Sequence, residues 1–226
     1  MTATVIENQP ARVVPCFRLV KEAGMGEQVA ARTFTRADRT RYREKVRRCL
    51  QVFQQMLREA RFDGARPLMG CEIELNLVDA LGDPAMRNAE VLAAISNPDF
   101  QTELGQFNVE INVPPSPLAG AALTELEAQL RADLNAADGA ARQVGARLMM
   151  IGILPTVTAD HLGPGALTTH PRYQLLNEQI FAARGEDLQL AIEGVEQLGA
   201  VADTIAPEAA CTSVQFHLQV SKLEPS

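Results

Sequence analysis

"MGCEIELNLVD", residues 69–79, sets Glu72 and Glu74 two positions apart inside an apolar, strand-like run. Side chains alternate across a strand, so both carboxylates stand on one face while Cys71, Ile73 and Leu75 stand on the other. An oily back and an acidic front describe a strand anchored to a core that presents Glu-x-Glu outward. A surface strand with a solvated face gives the same pattern, so the neighbouring segments decide between the two readings.

Upstream, Thr35 offers an N-cap with Asp38 three residues on, and residues 37–62 space Val46, Leu50, Phe53 and Leu57 along one face of a long amphipathic helix. Asp and Glu interspersed among its arginines make its polar side a solvated surface rather than a phosphate-binding one. Residues 1–34 lack periodicity and read as an N-terminal arm. Downstream, "DALGDP" is a turn and "NAEVLAAISNPDF" a short helix stopped at Asn97-Pro98. Residues 102–114 form a turn feeding a strand, where Phe107, Val109, Ile111 and Val113 alternate with Asn108, Glu110 and Asn112.

The spacing of Leu123, Leu126, Leu130 and Leu134 predicts a core-packed helix, and "MMIGILP" (149–155) a buried strand with Met149 and Met150 in the core. "HPRYQLLNEQIFAARG" (170–185) reads as another helix. "CTSVQFHLQVS" (211–221) reads as a strand with Ser213, Gln215, His217 and Gln219 on one face and Val214, Phe216, Leu218 and Val220 towards the core. Strands with one polar side, separated by helices, predict an α+β fold: a mainly antiparallel sheet with one polar face and helices packed on the other.

A chain of 226 residues, 46% hydrophobic, supports a substantial core. Its net charge of -7 and pI near 5.1 argue against a general nucleic-acid binder, which needs a basic surface. Cys16, Cys49, Cys71 and Cys211 include no CxxC pair, so neither a zinc knuckle nor a disulfide framework is expected. Cys71, opposite the acidic pair, reads as a small core residue. No basic start leads into an apolar core, and no apolar run approaches the roughly 18 residues of a membrane helix, so the expectation is a soluble, cytoplasmic protein without membrane partners. "GPGA" (163–166) lacks the Gly-Lys-Ser/Thr ending of a phosphate loop.

The polar sides of the strands carry Glu72, Glu74, Glu110, Asn112 and His217, with Glu103 at the entry of the second. Carboxylates gathered together repel and raise one another's pKa values, a conflict that a hard divalent cation relieves. Oxygen ligands suit Mg²⁺ or Mn²⁺, whose octahedra are often completed by water and nucleotide phosphates.

Taken together, "MGCEIELNLVD", "TELGQFNVEINVPP", "HPRY" and "CTSVQFHLQV" resemble the glutamate–cysteine ligase family, carboxylate–amine ligases related to glutamine synthetase, from about Pro67 to Val220. The resemblance implies a curved, glutamine-synthetase-like sheet that binds ATP and Mg²⁺ (or Mn²⁺) and activates a glutamate γ-carboxylate as an acyl phosphate for attack by an amine such as cysteine. It implies Glu72, Glu74, Glu103, Glu110 and His217 as metal ligands, with His217 and Gln215 also at the nucleotide. It implies Arg172 as the holder of a substrate carboxylate, which suits its forked donors, with Tyr173 beside it. Family members are longer, so residues 35–226 are expected to be the N-terminal portion of a catalytic domain that turns over poorly alone. A homo-oligomer is compatible with this reading. A phosphotransferase on the same fold and a non-catalytic metal- or nucleotide-binding module are the alternatives.

Overall fold

In the computed structural model, which describes residues 33–59, 61 and 67–219, β1 (Leu68–Val78) lies at the centre of a five-stranded antiparallel sheet. Its burial alternates from Met69 to Leu75, as its composition requires, and turns continuous from Asn76 to Val78, where neighbours cover both sides. β3 (Asn108–Pro117) pairs along one edge of β1, and β2 (Phe100–Thr102), a short strand the sequence reading did not separate from its turn, pairs with β3. Two strands share the other edge: β4 (Arg147–Met149) against residues 76–78 and β7 (Val214–Leu218) against residues 69–73.

Helices α2 (Asn88–Ile95) and α3 (Ala122–Gln143) cover the apolar back, where Ile73, Leu75, Val109 and Ile111 pack with Val91, Ala137 and Ala141. The expected leucine stripe of α3 is corrected in part. Leu130 and Leu134 reach the core but Leu123 is exposed, because the close approach is made at Ala137 and Ala141, where a methyl group is all that separates helix from sheet.

"MMIGILP" is not a buried strand. β4 ends at Met149, and Met149, Met150, Ile151 and Ile153 are exposed while Leu154 alone of the apolar run is buried. The Asn76 amide and Thr212 hydroxyl take the Ile151 carbonyl at 2.9 and 2.7 Å, and the Thr212 N–H takes that of Gly152 at 2.8 Å, so these groups are satisfied without a ladder or burial. A second correction concerns β7. Its register places Val214, Phe216 and Leu218 on the core side, yet all three are exposed; Val220 lies outside the described residues.

The N-cap of α1 (Arg36–Glu59) forms as expected: Thr35 N and Oγ1 donate to the Asp38 carboxylate at 3.0 and 2.7 Å, and Asp38 N donates to Thr35 Oγ1 at 3.2 Å. These bonds hold the Asp38 carboxyl down to about 2. None of the α1 residues is buried. All but the last two residues of the expected 1–34 arm lie outside the described residues. α4 (Pro171–Arg184) starts with proline in its first turn and His170 as N-cap, and ends at Gly185, whose φ of 75° favours glycine. Its Ile180 and Phe181 pack on a satellite core of Ala166, Leu167, Ile205 and Ala206. An exposed hairpin, β5 (Leu188–Glu193) and β6 (Gln197–Ala202), follows it and was not anticipated. The architecture is α+β with antiparallel sheets. Among the described residues no helix is long and apolar enough to cross a membrane.

Candidate active site

Directly opposed residues of an antiparallel pair share a face. The β1–β3 register sets Glu72 opposite Asn112, Glu74 opposite Glu110 and Asn76 opposite Asn108, while β7 brings Gln215 opposite Glu72 and His217 opposite Gly70. The polar residues of three strands therefore form one surface. Glu103 follows β2 and joins it from a loop: carboxylate oxygens of Glu74, Glu103 and Glu110 all lie within 4.8 Å of one another.

Each of these three is held by a donor. Glu74 Oε2 accepts from Ser213 N at 2.8 Å, Glu103 Oε2 from Leu104 N at 2.5 Å, and Glu110 Oε1 from the Asn112 side-chain amide. Burial is the first cause raising the Glu103 carboxyl above the ordinary glutamate range, with the charges of Glu110 and Glu74 adding to it; the Leu104 N–H and Arg172 oppose. Burial likewise raises Glu110, reinforced by Glu72 and Glu74 and opposed by Asn112 and Arg172. Half-buried carboxylates that favour protonation when alone are the environment that a hard cation relieves, and a donor set made only of anionic oxygens fits Mg²⁺ or Mn²⁺ rather than a soft metal.

Glu72 and His217 meet each other instead of that trio. His217 Nε2 lies 3.3 Å from Glu72 Oε2, with the histidine side chain 58% exposed and the glutamate 15%. Gln215 donates to Ser213 Oγ at 3.4 Å, and both line a cavity of about 460 Å³ together with Glu74 and Glu103. Arg172 lies with its guanidinium carbon 4.7 Å from the Tyr173 ring centroid, and its Nη2 donates to the Tyr173 hydroxyl at 2.7 Å. That hydroxyl donates in turn to the Thr102 carbonyl at 2.8 Å, tying the arginine to the end of β2.

Family membership is decided by sequence comparison: the family described as Glutamate-cysteine ligase family 2 (GCS2) matches residues 68–224. The chain belongs to this family. No curated protein matches it. The GCS2 match starts on the first residue of β1 and takes in every residue from Glu72 to His217 discussed above, and membership brings with it a ligase-like enzyme acting on small molecules. The same cavity is lined by Glu208, which sequence reasoning passed over, by Asn108, which it placed on the polar side of its strand without a site role, and by Cys211, which borders the last strand. Asn108 continues the alternation of Glu110 and Asn112, a signal that could have given it a role there. Glu208 lies in a 3-10 turn, Ala206–Ala210, where no periodicity marks it. His161 and His170, which earned no role from sequence, cap their own turns.

Proposed function

We propose that the chain carries the acidic half of an ATP-dependent carboxylate–amine ligase that joins the γ-carboxylate of glutamate to an amine, cysteine first among them. The convergence of Glu74, Glu103 and Glu110 within 4.8 Å, with Arg172 close enough to oppose the raised carboxyls of Glu103 and Glu110, is the observation that carries this reading. Two anions must meet in such a reaction, a phosphoryl group and a carboxylate, and Mg²⁺ or Mn²⁺ bound here supplies the charge that lets them approach.

Glu74, Glu103 and Glu110 would hold that cation, and Glu72, His217 and Gln215 would face the nucleotide phosphates from the β7 side. The Arg172 fork binds a substrate carboxylate, and its contact with Tyr173 restricts where the fork points. The substrate γ-carboxylate attacks the terminal phosphorus of ATP as the bond to the ADP oxygen breaks. The amine then attacks the acyl carbon, the bond to the phosphate oxygen breaks, and the proton lost from the amine nitrogen passes to the departing phosphate or to solvent. No side-chain nucleophile is required. The buried back of β1 and β3 keeps the carboxylates in place through both steps.

The exposed apolar side of β7 supports a further part of this proposal: the sheet is completed by more protein, and the 226 residues alone turn over poorly. ADP release tests both parts. Release that requires glutamate and amine together supports ligation, release with glutamate alone supports phosphotransfer, and efficient ligation by this chain in isolation overturns the partial-site reading.

A further inference from the structure

Glu74 and Glu110 are set by the β1–β3 ladder, but Glu103 stands outside it, in the loop between β2 and β3. A ligand on a loop needs something to fix it. The carbonyl of Thr102, the last residue of β2, and the four loop carbonyls that follow it each accept a hydrogen bond from another segment. Tyr173 Oη donates to Thr102 O at 2.8 Å; Thr168 Oγ1 donates to Glu103 O at 2.5 Å, and Thr168 N to Leu104 O at 2.8 Å. Asn88 Nδ2 donates to Gly105 O at 3.2 Å, and Asn88 N to Gln106 O at 2.9 Å. The same Asn88 amide reaches Thr168 Oγ1 at 2.8 Å and Asn108 O at 3.4 Å, so α2, β3 and the 168 segment converge on the loop.

Asn88 and Thr168 are 4% and 3% exposed, and every bond they make here is spent on this loop, on its neighbour Asn108 or on each other. The packing is equally strict at Gly105, where an added Cβ would fall 2.3 Å from Asn108 Oδ1 and 2.9 Å from Ala209 Cβ. Buried polar side chains dedicated to the backbone of one segment restrain it in a way that apolar packing does not, because each bond has a direction.

We propose that Asn88, Thr168 and the Tyr173 hydroxyl are positioning residues that hold Glu103 against Glu74 and Glu110 and so set the affinity of the site for a divalent cation. This rests on the metal reading above, which assigns none of the three a role at the loop. Outer partners of metal ligands characteristically change affinity by about 10–100-fold when removed.

The test is Mn²⁺ affinity of this chain, read by electron paramagnetic resonance, alongside its melting temperature. Thr168→Val should weaken Mn²⁺ binding about 10-fold or more, Thr168→Ser should restore it to within about 3-fold of wild type, and Tyr173→Phe, which removes only a hydroxyl, should weaken it about 3-fold or more. In a Glu103→Gln background, Thr168→Val should cost no further affinity, although it lowers the melting temperature as much as in wild type. A merely structural threonine would move the melting temperature and leave Mn²⁺ affinity unchanged. That result, with wild-type binding that depends on Glu103, overturns this proposal alone. Should Thr168→Val fail to fold, wild-type affinity in Tyr173→Phe overturns it equally. Absence of Mn²⁺ binding by the wild type overturns the metal reading and this proposal with it.

Discussion

β3 and β7 flank the same central strand on opposite edges, both place polar side chains on its acidic face, and they differ in what lies behind them. Val109 and Ile111 of β3 are 0% and 1% exposed under α2 and α3, whereas Val214, Phe216 and Leu218 of β7 are 47%, 61% and 56% exposed. The front follows the back. Glu110, on the covered strand, is half-buried and its carboxyl is raised chiefly by burial; His217, on the uncovered strand, stands largely in solvent and meets Glu72 as a partly exposed pair. The same alternation of sequence thus yields a partly desolvated side of the site and an open one.

The sharpest way to break this contrast is in the apolar layer. Ile111→Ala should cost about 2–5 kcal/mol, the usual range for a buried large-to-small change, while Phe216→Ala should stay near 0.5 kcal/mol, as at exposed sites, roughly. Equal losses in urea unfolding would show that β7 is covered as β3 is.

Next in size is the metal site itself. Replacing Glu74 or Glu110 by Gln should weaken Mg²⁺ or Mn²⁺ binding by about 100-fold, more than removal of an outer partner, and the same change at Glu72 should cost no more than about 10-fold. Titration calorimetry separates the two; equal losses would place Glu72 in the trio.

The pH dependence sharpens the electrostatic half of the comparison. The Glu103 and Glu110 carboxyls are raised in the folded chain and return to the ordinary value on unfolding. Just above that ordinary value, about 4.3, the folded state therefore binds more protons than the unfolded one, so metal-free stability falls as pH rises through the window and recovers as it falls. Melting temperatures in chelator should show this slope, and the Glu103→Gln, Glu110→Gln double variant should flatten it. A slope retained in the double variant would assign it to other groups.

The smallest effect is expected on the open side. The His217 side chain is 58% exposed, and substitutions at exposed positions usually change stability by no more than about 0.5 kcal/mol, so His217→Ala should leave the melting temperature within about two degrees of wild type. A larger loss would mean that β7 is better packed than its exposure indicates.

Much of this was legible in strand periodicity. Glu72, Glu74, Glu110, Asn112, Gln215 and His217 each stand on the side of their strand that alternation assigns, and the capping of α1 follows from Thr35 and Asp38. Where reading failed, it was over extent and cover. "MMIGILP" has the composition of a buried strand, but its carbonyls find side-chain partners 60 to 75 residues away in sequence, which no local pattern encodes. The apolar side of β7 has the right spacing for a core, and its side chains are nevertheless exposed, since spacing says nothing of what packs against it.

By itself the sequence determined which side chains share a face of each strand, because the two-residue period is a property of the extended backbone, and it determined membership in the GCS2 family across residues 68–224. Tertiary structure alone decided which carboxylates meet. Pairing register sets Glu74 against Glu110, a loop bound by Asn88 and Thr168 adds Glu103, and Glu72 is left to His217. Periodicity orders residues within a strand, but distances between strands and loops depend on hydrogen bonds and packing among segments far apart in the chain.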